Sequence, residues 1–178
     1  MADAYVRTAT PADAPAIGRI QSVTWRAAYG GVLPSEVLRE LTPEAAAGPW
    51  ERALREPPTS RHRVLVARER DALVGFATLE PPTEETEPTA ASASIGILVV
   101  EPRWGRRGHG SRLLAAATDT LAAEGVRHVT TWVVEADDVT GSFLESAGWA
   151  AEGTVRVLDA AGTPVRQICM HVRLEEPE

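Results

Sequence analysis

Alternation of apolar and polar residues along this chain predicts strands, and spacings of three to four residues predict helices. A first strand is predicted in AYVRTA. Thr10 then suits a helix N-cap, Ile17 and Ile20 keep helical spacing, and Gly30 ends the helix. Two short helices are predicted to follow in PSEVLREL and TPEAAAGPWERAL.

The remainder of the chain alternates strands with helices. RVLVARE and ALVGFATLE flank a turn around residues 70–71 and predict a hairpin. Next come a strand over residues 95–100, a helix over about residues 110–124, the strand HVTTWVVE, the helix DVTGSFLESAG, and the strands GTVRVLD and PVRQICMHVRL around an AAG turn. This order predicts a mixed α/β sheet. Neither a repeat nor a linker interrupts it, so residues 1–178 are expected to form one domain.

Composition narrows the classes of function. Hydrophobic residues make up 44% of the chain and charged residues 24%, which is ordinary for a globular protein. The net charge of −7 disfavours a nucleic-acid partner, which requires a basic surface. No run approaches the ~18 apolar residues of a membrane span, and the start MADAYVRTATPADAP has no apolar signal region. With Cys169 as its single cysteine, the chain is expected to be soluble and cytoplasmic.

A loop of glycines and arginines, WGRRGHGS, follows the strand that ends at Val100. Glycines before a helix N-terminus favour phosphate binding, and Arg106 and Arg107 can add charge-assisted hydrogen bonds. A nucleotide P-loop requires Lys and Ser/Thr after Gly110, where Ser and Arg stand, and a dinucleotide fingerprint requires a third glycine that is absent. By itself the loop is either a phosphate site or a tight turn with surface arginines.

VVEPRWGRRGHGSRLL, followed later by WVVEADDVTGSFLESAGW, resembles the GNAT N-acetyltransferase superfamily. The first of these stretches is similar to the acetyl-CoA motif Gln/Arg-x-x-Gly-x-Gly/Ala, with Gly105 at the Gln/Arg position. The later stretch is similar to the strand and helix that follow that motif, and the opening VRTATPADAPAIGRIQSVTWRAAYGG resembles the family's first strand and helix. The resemblance implies an α/β fold with a mixed, mostly antiparallel sheet of about seven strands, flanked by helices and splayed between strands 4 and 5.

The same resemblance implies an acetyl-CoA-dependent N-acetyltransferase. Pyrophosphate would lie on residues 106–111, and pantetheine along the fourth strand, whose exposed edge can pair with its two peptide-like amides. Asp137 stands where many members have an asparagine that orients the cofactor, and the His109 side chain is expected to face solvent. The residues expected to bind acetyl-CoA are Leu98, Val99, Val100, Arg106, Arg107, Gly108, His109, Gly110, Ser111 and Asp137.

Two positions that carry chemistry in many members differ here. Leu144 stands where those members have the tyrosine that protonates the leaving thiol, and Ser94 stands where they have a glutamate base. Freeing a lysine-like amine at pH 7 costs about 4.6 kcal/mol, against roughly 2 kcal/mol for a thiol, so the base matters more than the acid. Glu80 is the first candidate base, with Glu135, Asp137 and an ordered water as alternatives. The candidate replacement acids are Ser142, Tyr29, Thr140 and a water.

The remaining features are expected to have structural roles. The four histidines show no pair at metal-ligand spacing, so no metal site is expected. Cys169 is expected to pack rather than carry an acyl group. Trp25 and Tyr29, one helical turn apart, are expected in the core or in an acceptor pocket. The acidic loop residues Glu84, Glu85 and Glu87 are expected to be solvated, with attraction of a cationic substrate as the alternative.

The acceptor is expected to be a small-molecule or peptide amine, with no membrane or nucleic-acid partner, and a homodimer is left open. Two alternative functions remain at the level of the residues. One is an acyl-CoA-binding module whose catalysis has lapsed, which is consistent with Leu144 and Ser94. The other is a phosphotransferase that uses a nucleoside triphosphate.

Overall fold

The computed structural model describes residues 4–82 and 91–175, so the acidic loop residues Glu84, Glu85 and Glu87 lie outside the described part. Its strands are β1 (Ala4–Thr8), β2 (Arg63–Glu69), β3 (Ala72–Glu80), β4 (Ser92–Val100), β5 (His128–Val134), β6 (Ala150–Ala160) and β7 (Thr163–Arg173). Its α-helices are α1 (Ala14–Tyr29), α2 (Ser35–Glu40), α3 (Pro43–Arg55), α4 (His109–Ala123) and α5 (Asp138–Ser146). The predicted order of elements is confirmed, although β4 begins three residues earlier than the sequence pattern predicts.

The strands form one seven-stranded sheet in the order β1-β2-β3-β4-β5-β7-β6. Every pair is antiparallel except β4 with β5. That parallel pair is short, because residues 92–94 of β4 pair with residues 128–130 of β5 and the two strands then separate. The prediction of a mixed, mostly antiparallel sheet that is splayed between strands 4 and 5 is therefore confirmed.

Helices cover both faces of the sheet. On one face α4 packs against β2, β3 and β4, and its buried residues Leu113 and Leu121 join a core that includes Leu144 and Trp149. On the other face Ile17 and Ile20 of α1 pack around Phe76 of β3, with Trp50 of α3 against the same ring. Full burial of each such side chain contributes roughly 1.5–3 kcal/mol, so the two clusters fix the sheet between its helices.

The start of α1 is tied to β1 by a carboxylate. Asp13 accepts two hydrogen bonds of 2.8 Å from the Arg7 guanidinium, and a third of 2.7 Å from the backbone N–H of Thr10. The Arg7 hydrogen bonds lower the pKa of Asp13 to about 2, against the opposing effect of burial. None of the helices in residues 4–82 and 91–175 has the length and apolar content that a membrane span requires.

Candidate active site

The burial of β4 changes where β5 leaves it. Residues 92–95 are buried, Gly96 is exposed and residues 97–100 are half-buried. Where the two strands separate, the Thr131 hydroxyl donates a hydrogen bond of 2.7 Å to the carbonyl oxygen of Ile95. Beyond it β5 continues to pair with β7. Within the described part of the chain, no strand pairs with this edge of β4 after residue 94.

The register of β3 and β4 decides which backbone groups face this open edge. In an antiparallel ladder, alternate residues direct both their N–H and C=O groups to the same neighbour. The N–H of Glu101 donates to the carbonyl oxygen of Val74 at 2.9 Å, so Val99 also faces β3. Leu98 and Val100 belong to the alternate set and direct their backbone groups toward the splay. These are the two positions at which the family resemblance predicts pantetheine to bind. The backbone groups of Val99 face β3 instead.

The glycine and arginine loop joins the end of β4 to α4 and contains two residues in the left-handed region. Gly108, the N-cap residue of α4, has φ of 80°, and Arg106 has φ of 64°. Left-handed residues turn successive N–H groups toward one side and so form concave sites for anions. The side chains of Arg106 and Arg107 are exposed, although the Arg107 guanidinium also lies 3.5 Å from Oε1 of Glu69, so a phosphate would compete with that carboxylate for it. Arg106, a non-glycine residue in the left-handed region, stores strain at a predicted binding loop.

His109 does not face solvent, and this prediction was wrong. Its side chain is 1% exposed, and Nε2 lies 2.7 Å from Oε2 of Glu69 at the end of β2. α4 begins at His109, so helical periodicity places its side chain on the same face as the buried Leu113, four residues later. The imidazole therefore anchors the loop to the sheet, and only the backbone N–H of His109 is left for a ligand.

Leu144 and Ser94 are both buried, although the family resemblance places catalytic residues at these two positions. Leu144 is 3% exposed and belongs to the core between α4 and the sheet. Ser94 is 2% exposed, and its hydroxyl is paired with the Thr130 hydroxyl at 2.9 Å. Leu144 has no ionisable group, and the Ser94 hydroxyl is buried against Thr130. Neither side chain is therefore placed to act as an acid or a base on a substrate in the cleft.

Glu80, the candidate base, lies at the start of the splay. Oε1 of Glu80 accepts a hydrogen bond of 2.9 Å from the Thr78 hydroxyl, which in turn accepts one of 2.9 Å from the N–H of Ile97. Here the single residue Thr78 faces two residues of β4, Gly96 and Ile97, which defines a β-bulge. A β-carbon added to Gly96 would collide with the Glu80 carboxylate. The carboxylate of β3 therefore lies over the bulge of β4.

Tyr29 and Asp137, which the sequence suggested for separate roles, are in contact. The Tyr29 hydroxyl donates to Oδ2 of Asp137 at 3.2 Å, and so joins the end of α1 to the start of α5. The Thr140 hydroxyl and N–H donate to the same carboxylate at 2.7 and 3.0 Å. Burial, followed by the Asp137 charge, raises the pKa of Tyr29 well above its usual range. Tyr29 is therefore a neutral hydrogen-bond donor at physiological pH.

The remaining candidates lie apart from this arrangement. Ser142 is exposed, and since it is two residues from both Thr140 and Leu144 it lies on the opposite face of α5. Glu135 is exposed and paired with Arg166 at 2.9 Å. Trp25 packs edge-on against Tyr29 and lines an apolar cavity of about 540 Å³ between α1, α2 and α3. Glu135 is thus engaged in an ion pair, whereas Glu80 lies at the splay.

Cys169 is buried, as its predicted packing role requires. Its thiol donates to Oε2 of Glu152 at 3.2 Å, and burial raises its pKa to about 12, with Glu152 adding to the effect. A thiol with this pKa is a poor nucleophile at neutral pH. The histidines are less scattered than the sequence suggested, because His128 and His171 are adjacent on β5 and β7. Only the pairing of two distant strands reveals this contact.

A splayed parallel strand pair, a bulge at its opening and a glycine loop at the next helix N-terminus occur here in one continuous segment. Residues 25–149 match the model of the Acetyltransferase (GNAT) family. This chain belongs to the GNAT acetyltransferase family. Over 116 residues it is 30% identical to the phosphinothricin N-acetyltransferase of Streptomyces coelicolor, covering 65% of this chain and 66% of that enzyme.

Two further comparisons bear on the fold and on the extent of the match. Over 117 residues the chain is 32% identical to the mycothiol acetyltransferase of Mycobacterium sp. (strain JLS), covering 62% of this chain and 36% of that enzyme. The match thus spans less than two thirds of the length of either curated relative. The PaiA N-acetyltransferase of Thermoplasma acidophilum, solved with coenzyme A, superposes with a TM-score of 0.73 at 18% identity, covering 97% of this chain and 99% of that one. This GNAT chain therefore shares the family's fold over nearly its whole length.

Proposed function

We propose that residues 1–178 form an acetyl-CoA-dependent N-acetyltransferase that transfers the acetyl group to a primary amine by direct attack on the thioester. One observation carries the proposal: the open edge of β4 continues directly into the loop before α4. Leu98 and Val100 offer backbone groups to the two amides of pantetheine, in the manner of an added strand. The loop at residues 106–111 offers N–H groups and two guanidinium groups to pyrophosphate.

Glu80 acts as the general base in this proposal. Bound acetyl-CoA supplies an acyl carbon that is activated as a thioester. A primary amine attacks only after it has lost its proton, and the Glu80 carboxylate accepts that proton directly or through one water molecule. The Thr78 hydroxyl holds Oε1 in place and leaves Oε2 available, since no hydrogen bond to Oε2 is seen among the described residues. The new C–N bond forms as the C–S bond breaks, the nitrogen gives up its second proton to solvent so that a neutral amide results, and the CoA thiolate departs.

Tyr29 positions Asp137 and does not supply the proton that the thiolate takes up. A thiol has a pKa of about 8.5, so a tyrosine whose pKa is raised holds its proton more tightly than the thiolate would. Transfer from Tyr29 to the thiolate is therefore uphill, so the thiolate departs unprotonated and takes up its proton in solvent afterwards. Leu144 removes the usual acid without preventing turnover, because leaving as a thiolate at pH 7 costs only roughly 2 kcal/mol.

A second candidate function is supported by the enclosed positions Leu144 and Ser94, namely an acyl-CoA-binding module whose catalysis has lapsed. The two curated relatives are named for N-acetylation of phosphinothricin and acetylation of mycothiol. For this chain we propose a primary amine, on a small molecule or a peptide, as the acceptor class.

Release of free thiol from acetyl-CoA, measured over a panel of primary amines, distinguishes the two functions. Turnover with at least one amine is expected, and Glu80→Gln is expected to lower kcat/KM by about 10²–10⁴-fold. Glu135→Gln is the matched control, because Glu135 is an exposed glutamate paired with Arg166, and it is expected to retain full activity. Tight binding of CoA without turnover of any amine would instead establish the binding module.

A further inference from the structure

Three side chains, from β5, β6 and β7, converge near the end of β5 that is paired with β4. Nε2 of His128 on β5 lies 3.2 Å from Nδ1 of His171 on β7 and 3.3 Å from Oε1 of Glu152 on β6. The three atoms all lie within 4.8 Å of one another. Along β5 the cluster precedes the splay, because His128 is opposite Ser92, where the two strands are still paired.

The strand register and a bulge bring these side chains together. His171 is opposite Thr130, which lies two residues after His128, so both imidazoles are on the same face of the sheet. On β6, Ala151 is opposite Met170 whereas Val155 is opposite Ile168. Three residues of β6, including Glu152, therefore face one residue of β7. Such a bulge redirects side chains.

A glycine and a thiol complete the local geometry of the bulge. Gly153 has φ of 91°, which an L-residue with a side chain rarely adopts, so the bend immediately after Glu152 depends on this glycine. The Cys169 thiol, on the β7 residue that the bulge faces, donates to Oε2 of Glu152 at 3.2 Å. This contact orients the carboxylate so that Oε1 is directed toward the imidazoles, as groups around metal ligands commonly do.

The convergence has a chemical consequence. In the tautomers that leave Nε2 of His128 and Nδ1 of His171 unprotonated, two nitrogens and a carboxylate oxygen present lone pairs to one another, and a bound cation satisfies all three. Tetrahedral zinc with bonds of about 2.0–2.1 Å separates its ligand atoms by about 3.3 Å, which matches the two distances from Nε2 of His128, while the third pair of atoms lies within 4.8 Å. Arg156 places a positive charge near Cys169, and its guanidinium group donates to Gln167 at 2.7 Å and lies over the Trp132 ring.

We propose that His128, His171 and Glu152 bind one divalent cation of the zinc class, with a fourth coordination position open to solvent. A donor set of two nitrogens and one oxygen suits zinc, cobalt or nickel rather than magnesium or calcium. The ion links β5, β6 and β7, and since it binds the folded state it raises the free energy of unfolding by RT ln(1 + c/Kd), where c is the concentration of free ion. The site is independent of acetyl transfer.

Calorimetric titration of the untagged, chelator-treated full chain with Zn²⁺ tests the site. One equivalent of Zn²⁺ is expected to bind and to raise the Tm. Three variants, His128→Gln, His171→Gln and Glu152→Gln, are each expected to weaken Zn²⁺ binding at least tenfold. Loss of a group that only hydrogen-bonds to a metal ligand already costs about 10–100-fold, so loss of a ligand should cost no less. His62→Gln is the matched control, because His62 contacts Thr59 in the loop before β2, and it is expected to bind as the wild type does.

Absorption of Co²⁺ in the wild-type chain gives a readout that requires no variant to fold. Intense visible bands of a four-coordinate ion are expected, with bleaching when Zn²⁺ is added. Failure of the wild type to bind Zn²⁺, or equal affinity in the His128→Gln/Glu152→Gln double variant, would overturn the site. Neither result bears on turnover of acetyl-CoA, so this proposal and the proposed function fail separately.

Discussion

The Glu80 carboxylate lies over the backbone of Gly96, in the space that a side chain at position 96 would occupy. A carboxylate from β3 therefore reaches the β4 bulge, and it does so only because β4 has no side chain there. The contact joins two positions on adjacent strands, and it makes Gly96 as important to the proposed chemistry as the base itself.

Gly96→Ala tests this relationship. The added methyl group is expected to displace Glu80 and lower kcat/KM at least tenfold, while the affinity for CoA, which depends on residues further along β4, changes little. Gly48→Ala in α3 is the matched control, because nothing lies within 4 Å of its β-carbon, and it is expected to leave activity unchanged. Equal activity in Gly96→Ala and wild type would remove Glu80 from the mechanism. Stopped assays of thiol release and CoA titration make the comparison.

Charge reversal in the loop tests the pyrophosphate site. Arg106→Glu/Arg107→Glu is expected to weaken CoA binding at least tenfold, because each charge-assisted hydrogen bond contributes about 1.5–3 kcal/mol. Arg70→Glu is a close control, since Arg70 is also an exposed arginine in a turn with φ of 53°, near the 64° of Arg106. Calorimetric titration with CoA gives both affinities. If the double variant binds CoA as tightly as wild type, the loop does not hold the pyrophosphate.

His109→Ala tests the anchor of the same loop. The substitution leaves a cavity beside α4 and removes the 2.7 Å contact with Glu69, which then keeps the Arg107 contact at 3.5 Å, so the free energy of unfolding is expected to fall by about 2 kcal/mol. The affinity for CoA is expected to fall as well, because the backbone of the loop loses its link to β2. Urea denaturation and CoA titration measure the two effects. An unfolding curve identical to that of wild type would show that the buried imidazole contributes nothing.

Asp13 gives the fold a defined dependence on acid. Its pKa is about 2 in the folded chain and about 3.9 when unfolded, so its stabilisation is complete above about pH 4 and is lost as the pH falls toward 2. With a side chain only 8% exposed, Asp13→Asn is expected to cost about 2 kcal/mol at neutral pH and progressively less in acid. Urea denaturation as a function of pH measures the difference. A difference that stays constant down to pH 2 would contradict this account of the Arg7 contact.

Local patterns in the sequence predicted most of the fold and part of the candidate site. Spacing along the chain predicted the order of elements. The family resemblance indicated that Leu144 replaces a tyrosine and that Leu98 and Val100 lie on the open edge of β4. The burial of His109 was missed because the Gly-His-Gly stretch has the composition of a loop. In the structure α4 begins at His109, and helical geometry turns its side chain toward the core.

Contacts between distant strands were beyond sequence reasoning for a different reason. His128 and His171 meet only through the register of β5 and β7, and Glu152 joins them only because β6 is bulged. Similarly, Glu80 lies at the splay because Gly96 stands opposite on β4, and no spacing along the chain encodes that relationship. Periodicity determines which face a residue occupies, but strand register and bulges determine which residues meet.

Tyr29→Phe separates a positioning role from proton donation. The variant loses the hydrogen bond of 3.2 Å to Asp137 but keeps the two from Thr140, so we expect a higher KM for acetyl-CoA and a fall in kcat of less than tenfold. Tyr5→Phe is the natural control, because Tyr5 is the only other tyrosine and is 47% exposed on β1. A fall in kcat of about 10²-fold or more, together with loss of the basic limb of the pH–rate profile, would show that Tyr29 protonates the thiolate after all. The raised pKa of Tyr29 predicts the opposite outcome, since Tyr29 is a weaker acid than an ordinary tyrosine and acts by donating a hydrogen bond to Asp137.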